Sequence, residues 1–221
     1  MRAGEIGAVR RVWAELNIAQ DPEAAYADGA SRMVNAQLAG GALLDIGVYA
    51  LTWIFQILYH TLPPAQRAAA APRVAGVISR FELTGVDAEN AVVLAFPDAI
   101  GIASSGLRVD TDPNGRTPAI RISGTKGEIQ VAHPAYLPRS FRVIKKNAAG
   151  EVEEREEKFD IPGGGGGMFW EADAAGRALR DGKLESEGMP LEESLLVMMA
   201  MDKVREDSGF RYPESIESTE Y

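Results

Sequence analysis

Hydrophobic and polar positions follow two different periods along this chain, and the change between them marks out its elements. Residues 38–60, LAGGALLDIGVYALTWIFQILYH, form an almost unbroken apolar run carrying one thin polar line. Asp45, Tyr49, Thr52 and Gln56 fall at i, i+4, i+7 and i+11, so a helical period of 3.6 places all four on one stripe. The run predicts a buried helix, and polar groups on a buried helix need partners, either the chain's own backbone or a ligand. Gly40 and Gly41 let the backbone turn into this helix and approach something closely. His60, Pro63 and Pro64 close it.

From residue 73 the period shortens to extended runs separated by turn residues. The predicted strands are 74–83, 91–96, 100–109, 119–122, 127–131 and 141–146, with Asp112, Pro113, Asn114 and Gly115 making a strong turn. Strands joined by turns rather than helices imply an antiparallel sheet. Residues 151–159 read as a charged edge strand, where Lys and Glu discourage edge-to-edge pairing. Upstream, 9–18 reads as a strand and 21–34 as a polar, alanine-rich loop with a helical turn. Downstream, 169–180 is an amphipathic helix stopped by Asp181-Gly182. A second helix, 189–206, starts at Pro190 and is expected to bury Leu195, Met198, Met199 and Val204. Between strand and helix, PGGGGGM at 162–168 lacks the last glycine of a dinucleotide fingerprint and is followed by no Lys-Ser or Lys-Thr. It reads as a flexible connector and not a phosphate loop.

Length and composition narrow the picture. The 221 residues make one domain, 1–221, with a substantial core, and the apolar (46%) and charged (25%) shares are those of a soluble globular protein. A net charge of -9 without a basic stripe argues against nucleic acid or an anionic membrane as partner. The absence of cysteine excludes disulfides, thiolate zinc sites and thiol nucleophiles, and is consistent with a cytoplasmic location. Residues 42–59 are apolar enough to raise a membrane span, but Asp45 interrupts the run near its start, so a core helix is expected.

The chemistry available is limited. His60 and His133 have no ligand spacing with each other or with an acidic pair, so no metal site is expected, and each histidine reads as structural or exposed. There is no G-x-S-x-G elbow, and Asp45 has no second carboxylate on its helix. Tyr49 remains for acid-base work. Its phenol, near pKa 10, would have to come down by about two to three pH units, roughly 3 to 4 kcal/mol. Asp45, one turn away, pushes the other way unless a cation pairs it, and Arg32 is one source of that cation. Residue physics alone leaves two readings open: a catalytic stripe, or a core helix whose Asp and Tyr cap local backbone.

The run LAGGALLDIGVYALTWI resembles the signature helix of the Gfo/Idh/MocA oxidoreductase family, in its dihydrodiol and D-xylose dehydrogenase branch, where an Asp is followed four residues later by a His or Tyr. GEIGAVRRV at 4–12, ISGTKGEIQV at 122–131 and the segment 171–205, followed by Tyr212-Pro213, agree in order. The resemblance implies an α+β domain, a large open, mostly antiparallel sheet with helices on one face, of the kind that follows a Rossmann domain. It further implies NADP as cofactor, a small-molecule sugar or diol as substrate, and a homodimer formed through the sheet face. Tyr49 would be the proton acceptor and Asp45 would orient the substrate or a lysine. Gly40 and Gly41 would let the nicotinamide come close, and Arg32 would bind substrate or cofactor. Thr52 and Gln56 are assigned to packing. The family's G-x-G-x-x-G turn and Glu-Lys-Pro motif are not among these 221 residues. The resemblance therefore covers the substrate domain, and the expectation is a truncated product inactive by itself. The alternative is a non-catalytic dimerising or sugar-binding module.

Overall fold

The computed structural model describes residues 4–218. In chain order it contains β1 (Val9–Asn17), α1 (Pro22–Ala25), α2 (Val48–Leu58), α3 (Pro64–Arg67), β2 (Arg73–Arg80), β3 (Asp87–Ala95), β4 (Ile100–Gly106), β5 (Pro118–Gly124), β6 (Gly127–Ala132), β7 (Ser140–Lys146), β8 (Val152–Lys158), α4 (Phe169–Arg180), α5 (Leu191–Asp207) and α6 (Glu214–Glu217). The eight strands form one open sheet in the order β2-β3-β4-β1-β5-β6-β7-β8. Every adjacent pair is antiparallel except β1 with β4, which is parallel. The turn-joined strands thus give two meanders, and β1 lies between them.

Alternation sets the two faces of the sheet. Along β1, Val12, Ala14 and Leu16 are buried, whereas Arg11 and Trp13 point to the open face. Helix α2 packs against β1 and β4 on the buried side. Its close seat depends on Gly101 in β4, where a Cβ would lie 2.4 Å from Ile54 Cγ2. The apolar segment Ala36–Leu58 is long and apolar enough to cross a membrane by length and composition, and here just over half of its most apolar window is buried inside the fold.

The stretch 38–60 is not the single unbroken helix that its periodicity predicts. A 3-10 turn (Ala36–Leu38) ends at Ala39 in the left-handed region, Gly41 follows at φ 121°, and Leu43–Gly47 form a π-turn before α2 begins. Periodicity cannot show an inserted residue of this kind, because a π-turn changes the register and not the composition.

The expected burial of α5 is corrected too. Leu195, Met198 and Met199 are exposed, and the helix buries Glu193, Val197, Ala200, Met201 and Val204. So many apolar residues surround this helix that two stripes compete. The one containing Glu193 packs inward, where that carboxylate, fully buried, meets His60 just beyond α2. His60 is nearly buried there, in keeping with a structural histidine, and burial pulls its pKa down, with Arg67 acting the same way. At the far edge every residue of β8 is exposed, as its charge pattern predicts. Helix α4 buries none of its residues and ends at Arg180, with Gly182 at φ 68° two residues on.

Candidate active site

The site grows from the π-turn. Asp45 is its middle residue, and its carboxylate accepts a hydrogen bond from Arg32 Nη1 at 2.9 Å. Arg32 comes from the loop ahead of the glycines, and the bond to Asp45 holds its guanidinium above the usual arginine pKa. The cation that the sequence required beside Asp45 is therefore supplied within this chain, on a side chain that is 69% exposed. Tyr49, the second residue of α2, is 42% exposed, and its ring lies 5.6 Å from that of Tyr136 at a 55° tilt.

Tyr136 arrives on the loop between β6 and β7, which contains a cis His133–Pro134 bond. Trp53, one turn beyond Tyr49, donates its indole N–H to the Ala135 carbonyl at 2.8 Å and fastens this loop to the helix. Sequence reasoning missed both aromatics. Trp53 is visible as an i+4 neighbour of Tyr49, but Tyr136 lies 87 residues away and carries no local signal. Trp53→Phe removes the only N–H that the ring offers to Ala135. The expected result is a loss of about 1 to 2 kcal/mol in urea unfolding, together with a shift in the ring NMR signals of Tyr49. Unchanged Tyr49 signals would show that the loop is held by other contacts.

Further along the polar line, Thr52 is half-buried, and the Gln56 amide donates to the Gly188 carbonyl at 3.2 Å, a partner on the chain's own backbone. Gly40 and Gly41 are buried. A Cβ on Gly40 would meet Asn35 N at 2.7 Å and Arg32 O at 2.8 Å, and one on Gly41 would lie 2.2 Å from Asp87 Oδ1. Their close approach is thus to the protein's own backbone and to a buried carboxylate. Tyr212 Oη donates to the Gly40 carbonyl at 2.6 Å, and burial drives this phenol's pKa well above the ordinary range. Asp87 was not foreseen either: it lies between the predicted strands 74–83 and 91–96, yet its carboxylate accepts from the Leu43 N–H at 2.7 Å. Among the described residues, no three His, Asp or Glu side chains cluster as a metal site would require.

The open, mostly antiparallel sheet carries helices on one face, with Asp45 in the π-turn and Tyr49 on the helix that follows it. Residues 1–130 match the family model described as the GFO/IDH/MocA C-terminal domain, and the chain belongs to the GFO/IDH/MocA family. It is 45% identical to D-xylose 1-dehydrogenase (NADP(+)) of Hypocrea jecorina over 99% of this chain and 57% of that protein. It is 30% identical to human trans-1,2-dihydrobenzene-1,2-diol dehydrogenase over 83% of this chain and 51% of that protein. The chain therefore spans little more than half the length of these relatives. Levoglucosan dehydrogenase, solved with NADH and levoglucosan, shares the fold at a TM-score of 0.67 and 17% identity, over 94% of this chain and 58% of that one.

Proposed function

We propose that this chain is the substrate-facing half of an NADP-dependent dehydrogenase that oxidises a hydroxyl of a sugar such as D-xylose, or of a trans-dihydrodiol. The observation that carries this reading is the Arg32–Asp45 ion pair beside an exposed Tyr49. Arg32 gives the Asp45 carboxylate a partner of opposite charge one turn from the Tyr49 phenol. Tyr49 then accepts the hydroxyl proton as the carbonyl forms, Asp45 and Arg32 orient the substrate, and Tyr136 gives it an aromatic wall. NADP would be held mainly by a nucleotide-binding domain such as the relatives' extra length allows, and when bound would supply the hydride acceptor.

Two further proposals accompany this one. The open sheet face carries Trp13, Val77, Val93 and Ile100 beside the Arg121–Glu128 and Arg142–Glu154 pairs, which suits a homodimer formed sheet to sheet. The location proposed is cytoplasmic, in keeping with a soluble dinucleotide as co-substrate.

The test joins this chain to the preceding half of the 45%-identical relative and follows NADPH formation with D-xylose, a trans-dihydrodiol and NAD as the alternative cofactor. NADP reduction with at least one of these substrates is expected. A folded chimera that binds the sugar without turnover would instead support a non-catalytic module.

A further inference from the structure

We infer that Asp87 is a positioning residue for the Arg32–Asp45 pair, acting through a buried polar chain that runs from Ser105 through Asn90 and Asp87 to the backbone of the π-turn. The functional meaning of this role rests on the reading of Asp45 and Tyr49 given above; the geometry does not.

Asp87 is wholly buried at the start of β3. Its Oδ2 accepts from the Leu43 N–H at 2.7 Å and from Asn90 Nδ2 at 3.2 Å, and Ser105 Oγ donates to Asn90 Oδ1 at 2.9 Å. Leu43 is the first residue of the π-turn and Gly47 the last, and a Cβ on Gly47 would lie 2.8 Å from Ser105 Oγ. One hydrogen-bonded unit from β3 and β4 therefore underlies both ends of the turn whose middle residue is Asp45. The other oxygen, Oδ1, is buried against Gly41, whose missing Cβ leaves just enough room for it.

A carboxylate so placed is costly, and a neutral group would satisfy the Leu43 N–H at lower cost. The cost is offset by what the turn does. π-turns are rare because they are wider and less favourable than α-helix, so this one needs holding at its ends. Released, residues 43–47 would relax toward α geometry, with one residue fewer in the turn. That change alters the register of Asp45 relative to the segment that carries Arg32 and so disturbs their pair.

The device also responds to pH. Burial raises the Asp87 pKa from 3.8 to about 6, against the opposing hydrogen bonds from Leu43 and Asn90. From the C-terminal segment Tyr212 faces it, with the Arg205 guanidinium 5.1 Å above the Tyr212 ring and Glu217 accepting the Tyr212 N–H. Because the folded pKa is raised, the protonated acid contributes stability that is fully present below about pH 4 and lost as pH rises through 6. Above about pH 6 the Leu43 N–H bonds to a carboxylate and the bond is charge-assisted; below it the neutral acid still accepts, more weakly, so the local hold on the turn loosens while the fold as a whole gains stability.

NMR of the 221-residue chain, with labelled aspartate and arginine, tests this without substrate or cofactor. In the native protein the Asp45 13Cγ and Arg32 guanidinium 15N signals should each show an inflection near pH 6. Asp87→Asn should abolish that inflection and shift both signals at neutral pH. Asn90→Ala, which removes a donor to the carboxylate and tests the chain if Asp87→Asn does not fold, should move the inflection to higher pH. Asp45 and Arg32 signals with no inflection near pH 6 would overturn the proposal, as would an inflection unmoved by Asn90→Ala. Failure of the chimera to reduce NADP, with these signals behaving as expected, would remove the dehydrogenase reading and leave the positioning role in place.

Discussion

Tyr49→Phe in the two-domain chimera is expected to lower kcat by about 10²- to 10⁴-fold, the range associated with loss of one general acid-base group. The substitution deletes a single oxygen from a side chain that is 42% exposed, and the ring contact with Tyr136 needs only the ring. Folding and sugar affinity should therefore change little. The fall should sit in kcat and not in KM, because the lost proton transfer belongs to the transition state. Steady-state kinetics with D-xylose, alongside circular dichroism, would check this. Wild-type turnover in a folded variant would remove Tyr49 from the mechanism and return it to a core-helix role.

The second large effect is on stability. Gly41→Ala should cost about 2 to 5 kcal/mol, combining the strain of a side chain at φ 121° with overpacking against Asp87. Neither side of the clash can withdraw easily, since Asp87 is wholly buried and tied to the Leu43 N–H. Gly165→Ala is the control. Gly165 has an ordinary negative φ and open space where a Cβ would go, so its unfolding midpoint should barely move. Equal midpoints for both variants in urea would mean that the Gly41 turn is not packed as described.

Much of the architecture could be read from the order of apolar and polar residues, for identifiable reasons. Strands β4, β6 and β7 are short extended runs between turn residues, and β8 announces itself as an edge by charge. Those signals are local. The family resemblance, carried by GGALLDIG and Tyr49, supplied the open sheet and its one-sided helices, which local patterns alone could not assemble. The placement of β1 was not legible, because its partners Ile100 and Ile122 lie far along the chain. The candidate site was nameable in part. Asp45, Tyr49 and Arg32 could be named, since two share a helix stripe and the third answers a charge requirement. Asp87, Trp53 and Tyr136 could not, since each matters through a contact made only after the sheet is assembled. The π-turn and the stripe of α5 that packs inward were invisible for the same cause.

The central seat of β1 has a consequence for how the molecule is made. The first strand of this domain in chain order pairs in parallel with β4, Arg11 opposite Ile100, and antiparallel with β5, Val12 opposite Ile122. It must remain unpaired until both neighbours have been synthesised. The hairpins β2–β3–β4 and β5 to β8 close over short loops and can form early. The strand that joins them closes by far the longer loops, and the closure entropy of those loops weighs against its early pairing. Val12, Ala14 and Leu16, all buried in the folded sheet, therefore gain their full cover only once both pairings are made.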